Sequence, residues 1–410
     1  MKELEALNIF LHLVQSLTNS ITCNNTKWLR VFMVKLFTAA ASIPGKKNFS
    51  QLARYSDLSE RTFRNRFQQG GFDWEKLNRK VMERRSAPGD ELVVAFAPAY
   101  ISKSGKSTYG VGKYWSGVEK RSKDGLEIMA LAAIDIDTKS CTMLEAVQTP
   151  PVQELRDGHG MTMLDWYLKL LLARKDSISR ITDTIVGDAF FSRKKFIDGI
   201  VGTGLKFVGR LLPKQRLRYI AGDEDTKAAR HKRGRKFRYA GKVDPDNLDL
   251  ARVHPCHVKD ADRAYWLIAN CVAMDRDIKI VVAHNKKMGT VMYFSTYTDM
   301  DAQKIVKIYR MRFQIEFGIR DCKQFAGLND SQARSRHKLD FSFNLSFALH
   351  NIIALESETY FCSISVGKMK RLLENAFLFN IIRRKFGGRP NLRLIKNVEE
   401  FILNLTGIRA

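Results

Sequence analysis

Acidic residues are scarce in this chain. Its 410 residues hold 43 Asp and Glu against 69 Lys and Arg, a formal net charge of +26 with a pI near 9.9. An excess of this size is the electrostatic footprint of a protein that meets a polyanion. Paired cysteines are missing too. The six (Cys23, Cys141, Cys256, Cys271, Cys322 and Cys362) are scattered with no CxxC, which argues against a zinc ribbon and for a reducing compartment. His254–His257, reading HPCH, is the one His/Cys cluster and lacks a second ligand pair. No signal peptide is expected, since Glu3 and Glu5 interrupt the start. No apolar run reaches membrane-spanning length; FSFNLSFALHNIIAL carries Asn344, His350 and Asn351. These deficits argue against a membrane partner and for the cytoplasm as the expected compartment, and a nucleic acid is the better use of the charge. A nucleotide-binding P-loop is also absent. SGKST at Ser104–Thr108 imitates its end, but Tyr100 stands where the loop needs glycine.

What is present suits sizeable cores, with 45% hydrophobic residues, and the length fits two to four structural units. Residues 1–85 read as helices, with helical periodicity in NIFLHLVQSL and WLRVFMVKLFTAAAS. In FSQLARYSDLSERTFRNRFQ, the apolar Leu52, Ala53, Leu58, Phe63 and Phe67 predict two short helices around a turn near Ser56–Ser59. Ser59 caps the second, whose outer side carries Arg61, Arg64 and Arg66. This helix-turn-helix-like pattern assigns Arg61 and Arg64 to DNA; an ordinary charged hairpin is the plain alternative.

From about residue 90 the period changes. ELVVAFAPAYI, LEIMALAAIDID and CTMLEAVQT read as strands, with a turn at Thr138–Ser140. A helix (MLDWYLKLLLAR), a short strand ending at Asp188, a helix (SRKKFIDGIV) and a strand (LKFVGRLL) follow. Three strands, helix, strand, helix, strand is the order of an RNase H-like α/β core. Residues 213–290 open with a dense basic run that includes Lys227, Arg230, Lys232, Arg233, Arg235 and Lys236, then turn strand-like. Thr298 with Asp301 offers a capping-box start to a helix carrying YRMRFQIEFGIRDCK. The tail from 366 is helical and basic.

On a single helix Tyr309, Arg312, Glu316 and Lys323 fall within an arc of about 60°. Ile308, Met311, Ile315, Ile319, Cys322 and Ala326 fill the neighbouring, buried arc. An acid in a row with a phenol and two cations suits a place where a metal meets phosphates, although a solvated face with an i,i+4 Arg–Glu pair is the plain reading. The spacing is Y-(2)-R-(3)-E-(6)-K, and Asp188 opens DAFF within DAFFSRKKF. With AYISKSGKSTYGVGKYWSG at 99–117, these stretches resemble the DDE transposases of bacterial insertion sequences, in the insertion sequence four family with the YREK signature. The resemblance spans roughly residues 90–350.

The resemblance implies an RNase H-like catalytic core with a mostly β insertion, plus amino- and carboxyl-terminal helical regions. The expected division is a DNA-binding region at 1–85, core at 86–212, insertion at 213–290, core with the Glu316 helix at 291–365, and a basic helical region at 366–410. It implies metal-dependent strand cleavage and strand transfer on double-stranded DNA, both transposon terminal inverted repeats and target, by a homodimer. Two Mg²⁺ (or Mn²⁺) ions are expected, with Asp188 and Glu316 as ligands. Tyr309, Arg312 and Lys323 would hold the DNA end, and Lys103 and Lys106 would approach nearby phosphates.

The pattern breaks at one position. The place of the first catalytic Asp, three residues before Tyr100, is occupied by Ala97, and no acid occurs between Glu91 and Glu119. Asp90, Glu91, Asp135 and Asp137 are the candidate stand-ins. The expectation is therefore an impaired transposase. The rivals are a domesticated, non-catalytic DNA-binding protein and a cellular RNase H-like nuclease; the end-holding row argues against the latter.

Overall fold

The structure is a computed structural model that describes residues 2–21, 27–105, 107–222, 238–287 and 289–385. Lys106, Cys23 and the basic run at 223–237 lie outside the described residues.

Five helices come first: α1 (Lys2–Ser20), α2 (Lys27–Ser42), α3 (Phe49–Arg54), α4 (Glu60–Gln69) and α5 (Trp74–Arg85). The turn chemistry of the α3–α4 pair is as the sequence indicates. The Ser59 side chain accepts from the Thr62 N–H, and Leu52, Phe63 and Phe67 are buried. The next elements are β1 (Leu92–Ser102), β2 (Gly112–Ser116), β3 (Arg121–Asp135), β4 (Cys141–Gln148), α6 (Val152–His159), α7 (Met163–Ala173), α8 (Lys175–Ser179), β5 (Thr184–Val186), α9 (Lys194–Val201) and β6 (Lys206–Arg210). β2 and the part of β3 that pairs with it, Arg121–Gly125, were not legible: GKYWS and RSKDG are mostly polar or glycine and lack alternation.

β1 pairs antiparallel with β3, whose outer edge carries β2 and β4, and it pairs parallel with β5, which pairs parallel with β6. The sheet runs on through β12 (Gly289–Ser295), β11 (Arg276–Asn285), β10 (Arg263–Cys271), β7 (Leu217–Ile220) and β8 (Tyr239–Val243), with β9 (His254–Pro255) beside β10. The strands between 213 and 290 thus extend one mixed sheet, entered where β12 pairs with β6. Next come α10 (Ala302–Met311), α11 (Phe313–Phe325), α12 (Arg336–Tyr360) and α13 (Val366–Lys385).

Alternation along β1 builds two cores. Val93, Ala95, Ala97, Ala99 and Ile101 face a cluster shared with α1–α5 and α10–α13. Val94 and Phe96 face a second, Phe-rich cluster with α7 and α9. Small residues at 95, 97 and 99 let a helix approach the first face closely. That helix is α11, whose Ile315, Ile319 and Cys322 enter the same cluster.

Two sequence expectations are corrected. The Tyr309–Lys323 stretch is not one uninterrupted helix, because α10 and α11 meet at Arg312. Arg312 keeps helical angles, but the Ile315 N–H reaches back only three residues to its carbonyl, tightening the turn. The cap of α10 is Asp301 itself, whose carboxylate accepts from the Lys304 N–H, and not a box built with Thr298.

Candidate active site at the carboxyl end of β5

The β1–β5 register is Val94 with Ile185 and Ala95 with Val186. Continued two residues, it sets Asp188 beside Ala97 on neighbouring strands about 4.8 Å apart. Both positions lie on the face that α11 covers, since Val186 and Ala97 share one cluster. Asp188 caps the 3₁₀ turn Ala189–Phe191, its Oδ1 accepting from the Phe190 N–H at 2.9 Å. The capping role and a chemical role are therefore compatible in one carboxylate.

A bond from helix to strand ties α11 to β1. Lys323 Nζ donates to the Tyr100 carbonyl at 2.7 Å. Gly318 lies over Met143 of β4, which pairs with Ala132 of β3, itself opposite Ala95. From Gly318 to Lys323 the helix therefore advances in the direction of β1. The Tyr309 phenol feels the charges of both Asp188 and Arg312, and Arg312 pairs with Glu316, which brings Glu316 to the same end of the sheet as Asp188. The helix seats this closely because position 318 is glycine; a Cβ there would stand 2.6 Å from the Met143 sulfur. Gly318→Val is expected to cost about 1–3 kcal/mol through overpacking. Urea midpoints measure this, and an unchanged midpoint would mean Met143 simply moves aside.

The cations of the row are engaged. Arg312 Nη2 sits 2.9 Å from Glu316 Oε1, with the Arg312 side chain 8% exposed and that of Glu316 42% exposed. The Arg312 guanidinium also lies 5.8 Å from the centre of the Tyr309 ring, and its Nε is buried without a partner among the described residues. Burial holds the Lys323 ammonium pKa below its usual value. Burial raises the Tyr309 phenol, opposed by the Arg312 and Arg210 charges and aided by Asp188. Two residues the sequence reading missed stand here: Arg210, ending β6, and Tyr293, its partner on β12, whose ring centre is 5.2 Å from that of Tyr309. Their signal is position alone, at the end of the strand next to β5.

The candidate stand-ins for the missing acid are excluded by distance. Asp135 pairs with Leu92, so it lies five residues, about 17 Å, along β1 from Ala97. Its Oδ1 accepts from the Asp137 and Thr138 N–H groups. Asp90 accepts from the Ala87 N–H, Glu91 pairs with Lys304, and Asp137 pairs with Lys307. All four serve the opposite end of the strand.

Among the described residues no group of three or more His, Cys, Asp or Glu gathers as a metal site. The carboxylates at this end of the sheet are Asp188 and Glu316, and position 97 offers only a methyl group. As hard oxygen donors these suit a divalent cation of the Mg²⁺ type. His254 stacks on Trp266 with ring centres 4.2 Å apart, a structural use of the HPCH segment. Lys103 Nζ donates to the Ser331 carbonyl. In the amino-terminal region Arg61 is exposed, Arg64 pairs with Glu60 and covers the Phe49 ring, and Arg66 lies 3.6 Å over Trp28. No described helix is long and apolar enough to cross a membrane.

Comparison with known families matches residues 132–352 to the transposase DDE domain. Comparison with curated proteins finds no match. Among solved structures, the piggyBac transposase synaptic complex with hairpin DNA is similar at 14% identity, over 98% of this chain and 76% of that one, with a TM-score of 0.42.

Proposed function

Because the chain belongs to the transposase DDE-domain family, we propose that it is the DNA transposase of an insertion sequence, of the YREK-signature group in the insertion sequence four family. The observation that supports the reading is the register that continues Asp188 to the side of Ala97, with Glu316 tied to the same end of the sheet through Arg312 and Tyr309. The strand order β4-β3-β1-β5-β6, antiparallel then parallel, supports an RNase H-like core. The sheet's extension supports a β insertion, and α1–α5 support an amino-terminal DNA-binding region.

Asp188 and Glu316 would hold the divalent cation, which supplies Lewis acidity for phosphoryl transfer when bound. Tyr309 and Lys323 line the approach to that place and would hold the DNA end by its phosphate. Arg312 orients the Glu316 carboxylate through their 2.9 Å ion pair and would turn to phosphate once a cation takes the carboxylate. Ala97 leaves this set one carboxylate short, so the chain binds ends and cuts poorly. The substrate is double-stranded DNA, and the working form is a homodimer on paired ends. A domesticated, non-catalytic DNA-binding protein is the second reading, favoured by the Ala97 methyl and the Arg312 clamp on Glu316.

Salt-dependent binding tests the division of labour. Using a pre-cut duplex bearing the sequence that flanks the gene, Lys323→Ala and Arg312→Ala should each reduce the slope of log K against log[salt] by about 0.9. Glu316→Gln should leave metal-free binding intact and abolish cutting in an Ala97→Asp background. If the slope is unchanged for both cation variants, Arg312 and Lys323 are structural partners of Glu316 and Tyr100 alone.

A further inference from the structure

A groove of about 850 Å³ opens beyond the carboxyl end of β1. Its lining includes Lys46 from the α2–α3 connection, Tyr100 and Lys103 from β1 and its loop, Lys123 from β3, and Arg334 just before α12. Folding has thus gathered four cations from parts of the chain nearly 300 residues apart. Two acids share the lining. Asp330 accepts from the Lys47 N–H at 2.9 Å, and Asp124 is exposed at the rim. Lys103 is half-buried, and both burial and the Arg334 charge hold its ammonium below the usual value. Two like charges close enough to feel each other are stabilised by an incoming anion. The groove is tied to the YREK row by one residue: Tyr100 lines it and offers its carbonyl to Lys323.

We propose that this groove is a phosphodiester track that takes the backbone of a DNA strand running out from the Asp188–Glu316 site, about three nucleotides from the reacting phosphate. The spacing follows from the 10 Å or so between Ala97 and Tyr100 along β1 and about 3.4 Å per nucleotide of a duplex strand. The inference rests on reading the chain as a transposase, and it names contacts beyond the row on α10 and α11.

Lys46 and Arg334 are exposed and their side chains make no hydrogen bond or ion pair among the described residues, so they serve as test positions that spare folding. The probe is a 30-base-pair duplex of random sequence, titrated at several salt concentrations without metal. Lys46→Ala and Arg334→Ala should each lower the salt slope by about 0.9, weakening binding about eightfold at 0.1 M salt. The double variant should lose about sixtyfold, and Arg334→Glu more than Arg334→Ala. Arg180→Ala, exposed at the end of α8, should change nothing. If the unsubstituted chain binds the duplex and the groove variants bind equally well, the track is wrong and the transposase reading stands. If Arg180→Ala weakens binding as much as Arg334→Ala, diffuse surface charge is the cause and the track is again wrong. If the unsubstituted chain binds no DNA, the transposase reading falls and takes the track with it.

Discussion

Ala97→Asp is expected to switch on Mg²⁺-dependent nicking of a supercoiled plasmid that carries the sequences flanking the gene. The gain should be on the order of a hundredfold or more, the scale of removing one preorganised charge-stabilising group from an active site. Position 97 is 7% exposed and faces α11, so the new carboxylate would be desolvated and crowded by Asp188 and Glu316. Burial and two like charges both raise its pKa. The variant should therefore be less stable than the parent without metal, regain stability as Mg²⁺ is added, and nick better as pH rises toward 8. The parent should show a weaker response of its melting temperature to Mg²⁺. A folded, DNA-binding variant that stays inert would make the non-catalytic DNA-binding protein the better account. A parent that already cuts well would require another acid, and Asp135, about 17 Å from Ala97 along β1, is too far to supply it.

Which elements were readable in sequence and which contacts were not follows from where each signal lives. The YREK spacing marks a helix face, and strand-like runs with their turns mark β1, β3, β4, β5 and β6, because both depend on local periodicity. The Ser59 cap and the Asp188 strand end are equally local. The break at Arg312 is not, since RMRFQ is good helix sequence throughout and only packing tightens the turn. The engagement of Arg312 and Lys323 was likewise hidden. Lys323 finds the Tyr100 carbonyl 223 residues away, a partner that no pattern near Lys323 announces. Arg210 and Tyr293 belong to the same class. The strands from 213 to 290 were legible as β, but not as an extension of one sheet, because the β6–β12 pairing joins chain ends across the whole insertion.

The second large effect concerns Glu356, which sits buried in α12. It is 0% exposed, and both carboxylate oxygens lack a hydrogen-bond partner among the described residues. Burial alone pushes its pKa up to about 9, from 4.5 in the free side chain. Between those values the native state holds one proton more than the unfolded chain. Stability is therefore fully present below about pH 4.5 and is lost as pH rises toward 9, at about 1.4 kcal/mol per pH unit. Two other buried groups tilt the opposite way in flanking windows. Burial lowers His350 to about 4 from 6.5, and Lys370 to about 8 from 10.5. Between pH 6.5 and 8 neither of these changes its charge difference, while Glu127 and Asp340, also raised by burial, tilt the same way as Glu356 and are common to parent and variant. Glu356 should contribute a loss of about 2 kcal/mol of unfolding free energy across that window. Glu356→Met, which keeps the length of the side chain and removes the acid, should lose about 2 kcal/mol less than the parent there and be about 3 kcal/mol more stable than the parent at pH 7. Glu356→Gln should also flatten the pH dependence while gaining less, since its amide stays unpaired. Urea unfolding at pH 6.5 and 8 decides the matter. A constant gap between parent and Glu356→Met would mean that water reaches the carboxylate and that it titrates as an ordinary surface acid.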